Sequence, residues 1–134
     1  MACSTNNSTQ LSESDMVPKD NSLPFFRQVA GEMLDAETAR QIAEQRAALQ
    51  RNPDWAEGYY HLAQLLRVQH QPLEAKKNLL TALEKQPLLA DAHLALGEIY
   101  LAEGDLERAR QQARIAAELG KPRLLEQLQR HGIR

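Results

Sequence analysis

The sequence predicts an all-α fold: two stacked helix–turn–helix repeats with helices added at both ends. Three observations predict it. The chain matches itself at a spacing of 34 residues, with Ala56 on Ala90, Leu62 on Leu96, Ala75 on Ala109, Ala82 on Ala116 and Glu84 on Glu118. A self-match at a period of roughly 20–50 residues marks a stacked repeat. Each copy also holds two apolar runs with helical steps. In the first copy these are Tyr59, Leu62, Ala63 and Leu66, then Ala75, Leu79, Ala82 and Leu83; steps of three and four put each set on one helix face. The third observation is size. Ala63 or Gly97 on the first helix, and Ala75, Ala82, Ala109 and Ala116 on the second, let two axes approach to the short end of the usual ~8–10 Å range.

Residues 1–22 are rich in Ser, Thr, Asn and Gln. They bury too little to offset ordering entropy and read as a disordered polar tail. Cys3 has two readings: a lone reduced thiol at a cytoplasmic terminus, or, if the true start lies upstream, the lipid-bearing residue of a segment similar to the mature end of a bacterial lipoprotein in the periplasm. Residues 23–53 read as N-terminal helices. Ser22 or Asn21 can cap, and Pro24 suits a first turn. Phe25, Val29 and Met33 make an amphipathic stretch to Asp35. Phe25 and Phe26 either cap the array or dock elsewhere. A second helix is expected over Ala36–Arg51. Its Ala48, Leu49 and Pro53 fall where Ala82, Leu83 and Pro87 do, so it reads as a degenerate half-repeat. Gln41 and Gln45 replace Ala75 and Leu79. Burying unpartnered amides costs about 1–3 kcal/mol each, so the first helix of this unit is expected to be absent or packed differently.

Asn52-Pro53-Asp54 breaks the chain. The repeats 56–89 and 90–123 follow, within a domain spanning 54–131. Their helices are expected at about 54–69, 72–86, 88–103 and 105–119. Gly104 suits a left-handed helix end and Asp105 the next cap; Gly120 repeats the ending. Pro122 opens a last helix, 122–131, whose Leu124, Leu125 and Leu128 cap the open edge of the array. Two full repeats are fewer than the three such arrays usually need. Either the flanking helices complete the core or the chain self-associates as a homo-oligomer.

The order Tyr59…Leu62-Ala63…Leu66…Ala75…Ala82…Pro87, and again His93…Leu96-Gly97…Tyr100…Gly104-Asp105…Ala109…Ala116, resembles the tetratricopeptide repeat. The resemblance implies an α-α superhelix whose first helices line a concave groove for a protein or peptide partner. The sequence departs from the pattern in three places. Tyr59 and His93 stand for the usual Trp, His70-Gln71 for Gly-Asp, and Pro122 arrives one residue late. The implied groove residues are those the packing stripe leaves out: Glu57, Tyr60, His61, Gln64, Arg67 and Val68, then Asp91, Leu94, Ala95, Glu98, Leu101 and Ala102. Arg67 can hold a carboxylate and Tyr60 offers stiff contact area. Leu94 and Leu101 are expected as an exposed apolar pair, which a ligand side chain would cover. Relatives that clamp chaperone tails use Lys and Asn where Tyr60 and Gln64 stand, so that role is not expected.

Other function classes find little support. Sixteen basic and 18 acidic side chains give a formal charge of −2, which argues against nucleic acid or an anionic membrane as partner. Three Tyr, two Phe and one Trp are too few for a base-stacking platform. Gly104–Arg134 carries a local basic excess, read as a solvated face and tail or as a contact for an acidic partner or nucleic acid. No apolar run reaches the ~18 residues of a membrane span. One Cys forms no intramolecular disulfide and no Cys-based zinc site. His61, His70, His93 and His131 make no metal-ligand pair, no Gly-rich phosphate loop follows a strand, and Ser is confined to the tail. The sequence therefore predicts no catalytic residues, no cofactor and no metal, but an interaction module.

Overall fold

The computed structural model describes residues 24–132, with side chains from Gln28 onward. The expectations for the tail, Cys3, the Asn21 or Ser22 cap and the side chains of Phe25 and Phe26 lie outside the described residues. Six helices are present: α1 (Pro24–Arg51), α2 (Ala56–Val68), α3 (Pro72–Lys85), α4 (Ala90–Ala102), α5 (Leu106–Glu118) and α6 (Arg123–Arg130). No strand occurs among the described residues. From α2 to α6 each helix begins and ends within two residues of its expected limits.

One expectation is corrected. The segment before Arg51 is a single helix of 28 residues, not two helices divided after Asp35. Asp35-Ala36-Glu37-Thr38 contains no Pro, Gly or Asn to turn the chain, while Ala and Glu favour helix. The chain divides into two compact units, Met1–Glu37 and Thr38–Arg134. In the first, Val29, Met33 and Leu34 are exposed.

In the second unit, α2 pairs with α3 and α4 with α5; α3 packs on α4 and α5 on α6. The first helices α2 and α4 also touch, as do α4 and α6. So α6 takes the place of a third first helix. With a one-residue slip, Leu124 and Leu128 fall where Leu89 and His93 do, and all four are buried. That slip is the late Pro122 seen in the sequence. The latter half of α1 serves as a second helix ahead of α2. Ile42 and Leu49 enter the main core with Leu62, Leu66 and Leu79. Gln45 sits half-buried and donates from Nε2 to the Gly58 carbonyl at 3.2 Å, a bond that offsets part of the cost of removing its amide from water.

Close approach between α4 and its neighbours depends on Gly97. A Cβ there would stand 2.7 Å from Leu124 Cδ2 and 3.2 Å from Gln112 Cβ. Beside it, buried His93 stands with Nε2 2.8 Å from the Pro87 carbonyl oxygen and Nδ1 2.7 Å from Gln112 Oε1. One polar ring thus ties α4 to α5 and to the preceding loop.

Candidate protein-binding face

The first helices turn their non-packing sides to a common face, and the sequence-predicted residues line up there. Gln64 is the pivot. Its Nε2 donates to Tyr60 Oη at 3.1 Å, and its Oε1 accepts from Arg67 Nη1 at 3.0 Å. These are neighbours one turn apart on α2, where steps of three and four bring side chains together. Arg67 Nη2 then crosses to Glu98 Oε2 on α4 at 2.9 Å. The other Glu98 oxygen accepts from Arg123 Nη2 of α6 at 2.8 Å. Tyr60, Gln64, Arg67, Glu98 and Arg123 therefore form one chain of polar contacts over three helices. The carboxylate Arg67 was expected to hold is supplied by the chain itself.

Two depressions flank this bridge. One is lined by Tyr60, Gln64, Asp91 and Leu94 with Lys121 and Arg123. Lys121 Nζ stands 3.4 Å from Asp91 Oδ1, with both side chains about half exposed. The other is lined by Arg67, His70, Pro72, Ile99, Ala102 and Glu103, and Glu98 forms part of its wall. Gln64 donates to the Tyr60 oxygen, so the Tyr60 hydroxyl hydrogen is left available to another acceptor.

The remaining predicted residues divide. Glu57 and His61 are exposed, with the His61 ring 5.4 Å from Tyr60 and 6.4 Å from Trp55. Val68 is exposed at the end of α2. Ala95 is buried. The expected exposure of Leu94 and Leu101 is corrected. Both are partly buried against Ala113, Leu124 and Leu128, with Leu125 beside them. The capping helix that the sequence predicts at the array's end also covers this apolar pair. Lys121 and Arg123 were not among the predicted face residues. Their signal is the slipped repeat, which makes α6 a first helix and turns its start toward the groove.

Among the described residues, no group of three or more His, Cys, Asp or Glu is arranged to hold a metal ion, and no helix is long and apolar enough to cross a membrane. A family model described as Tetratricopeptide repeat matches residues 78–111. That window runs from α3 through α4 into α5, so it contains one whole first helix and parts of the second helices on either side. A search of curated proteins finds no match to the chain.

Proposed function

We propose that this chain, whose residues 78–111 match a tetratricopeptide repeat model, is a protein-interaction module that binds an extended segment of a partner protein across the face of α2, α4 and α6. The observation that carries this reading is the polar chain from Tyr60 to Arg123, which crosses three helices between two depressions. A rigid row of donors and acceptors suits an extended backbone, whose own amides and carbonyls need partners when bound. Tyr60 adds an aromatic anchor with few rotatable bonds. Its hydroxyl and the remaining N–H groups of Arg123 and Lys121 can donate to the ligand. The proposed contacts are Glu57, Tyr60, His61, Gln64, Arg67, Val68, Asp91, Leu94, Glu98 and Leu101, joined by Lys121 and Arg123. Leu94 and Leu101 act from beneath, through their packing on α6.

Peptides selected from a displayed library against the full chain test this reading. A selected peptide titrated into isotope-labelled protein should shift the resonances of Tyr60, Gln64, Glu98 and Arg123. Tyr60→Ala should weaken it about tenfold, roughly 1.4 kcal/mol, without moving the melting temperature. Shifts confined to the outer sides of α3 and α5, or affinity indifferent to Tyr60→Ala, would overturn the reading.

A further inference from the structure

The depression between the starts of α2, α4 and α6 holds more hydrogen-bond donors than its own acceptors use. Its volume is about 480 Å³, and Tyr60, Lys121 and Arg123 stand around it. Among the described residues the Arg123 guanidinium bonds only to Glu98, through Nη2 at 2.8 Å, so most of its N–H groups lack a partner. Lys121 Nζ meets only Asp91 Oδ1, at 3.4 Å. The Tyr60 hydroxyl accepts from Gln64 Nε2 at 3.1 Å, which leaves its own hydrogen to give. The nearby acceptors are engaged. Both Glu98 oxygens hold guanidinium groups, and Gln64 Oε1 receives Arg67. Asp91 is the carboxylate that remains to be shared.

The cations come from one place in the sequence. Residues 52–55, ahead of α2, and 86–89, ahead of α4, hold no Lys or Arg; residues 119–122 hold Lys121, and Arg123 follows as the first residue of α6. The Lys121 N–H closes the end of α5 on the Ala116 carbonyl at 2.8 Å, which fixes the root of its side chain at the mouth of the depression. Around the depression three cations, Arg67, Lys121 and Arg123, face two carboxylates, Asp91 and Glu98. One positive charge is left over. A single carboxylate balances it, whereas the near-double charge of a phosphate exceeds it.

Resting on the binding face of α2, α4 and α6, we propose that this depression takes an acidic side chain, Asp or Glu, of the bound segment. Its carboxylate accepts from Tyr60 Oη, Arg123 and Lys121. Charge-assisted bonds of this kind are stronger than neutral ones. The Arg123 and Lys121 side chains are 71% and 51% exposed, so salt screens the attraction, and the acid sets specificity and orientation more than raw affinity. Asp91 competes with the ligand for Lys121, so removing its charge favours binding.

Peptides selected from a displayed library against the full chain test the proposal, using those that shift Tyr60, Gln64, Glu98 and Arg123. Each acidic residue of such a peptide is replaced in turn by its amide. One replacement should weaken binding about tenfold, and by less at high salt. Arg123→Gln and Lys121→Gln should each weaken the acidic peptide and leave its amide form unaffected. Asp91→Asn should tighten the acidic peptide alone. Melting temperatures of the three variants check that a change in binding is not a loss of fold. Peptides that shift the face yet bind equally well as amides would overturn the proposal and leave the binding face standing. Tighter binding of phosphoserine than of the acid at that position would overturn the choice of a carboxylate. Shifts that lie elsewhere would overturn the binding face and the acid site together.

Discussion

The two repeats reach the same fold from different local chemistry. In the second, Gly104 takes the left-handed turn position at φ 82°, and the Asp105 carboxylate accepts from the Arg108 N–H at 3.1 Å. In the first, His70 holds the same position at φ 59°, and Gln71 makes no side-chain cap. Both turns nevertheless close alike. The amide after the left-handed residue bonds five residues back, Gln71 to Leu66 and Asp105 to Tyr100, each at 2.9 Å. The cores differ the other way. Leu79, fully buried in the first repeat, corresponds to Ala113 in the second. Around Ala113 the volume is filled from outside by Leu124 and Leu128 of α6. The first repeat is thus strong in its core and weak in its turn. The second has the better turn and a borrowed core. Packing chooses the fold, and turn chemistry adjusts its stability.

The borrowed core is the largest difference to break. Leu128→Ala should cost about 2–5 kcal/mol, the range for deleting a buried leucine side chain. Leu79→Ala should cost a similar amount in the first repeat. The two should differ in reach. Removing Leu128 loosens α6 and α4 and bares Leu94 and Leu101, whereas Leu79→Ala leaves a cavity inside α2 and α3. Urea unfolding gives the magnitudes. Hydrogen exchange gives the reach: faster exchange in α4–α6 alone is expected for Leu128→Ala, and uniform acceleration would show the cap to be no separate support.

Next in size is the α4–α6 contact. Gly97→Ala places a methyl 2.7 Å from Leu124 Cδ2, an overpacking that costs about 1–3 kcal/mol. The equivalent residue in the first repeat, Ala63, already carries that methyl in a fully buried site. Leu124→Ala should relieve the clash, so the double variant should be more stable than the sum of the singles. A coupling of about 0.5 kcal/mol or more in a double-mutant cycle is expected. Strict additivity would show that the contact does not limit the spacing.

How far the sequence could be read follows the same division. Ala56, Ala75, Ala82 and their partners 34 residues on announced the hairpins because small residues at helix contacts are dictated by backbone distance. Leu94 and Leu101 were misread as exposed. Their burial depends on α6, whose register slips by one residue and so hides its role as a third first helix. The break expected after Asp35 failed because amphipathicity marks faces, not ends. An end needs a residue that leaves the helix, and Asp35-Ala36-Glu37 has none. The polar chain was half legible: Tyr60, Gln64 and Arg67 stand on one stripe, but nothing local couples Arg67 to Glu98, 31 positions away.

The turns come third. His70→Gly should stabilise the first repeat by up to about 1 kcal/mol by removing a side chain from left-handed backbone. Gly104→His should cost about 1–2 kcal/mol. Asp105→Ala should cost about 0.5–2 kcal/mol by removing the cap, whereas Gln71→Ala, with no cap to lose, should be nearly silent. Denaturation midpoints decide it. If His70→Gly leaves the midpoint unchanged, the first turn bears no strain and the contrast between the repeats lies in the cap alone.

The smallest effect on stability is expected where the proposed function lies. Arg67 and Glu98 are each about 30% exposed and 2.9 Å apart. Exposed and half-exposed pairs contribute roughly 0–1 kcal/mol. Glu98 also holds Arg123, whose side chain is 71% exposed, so loss of Arg67 leaves the carboxylate with a partner. Arg67→Ala should therefore lower stability by under about 1 kcal/mol, and less at high salt. Glu98→Gln should do slightly more, because it loosens two guanidinium groups together. If the face binds a partner, both should alter affinity by more than they alter folding. The same variants serve thermal unfolding and peptide titration. A larger loss of stability than of affinity would make the polar chain a strut between helices rather than a recognition surface.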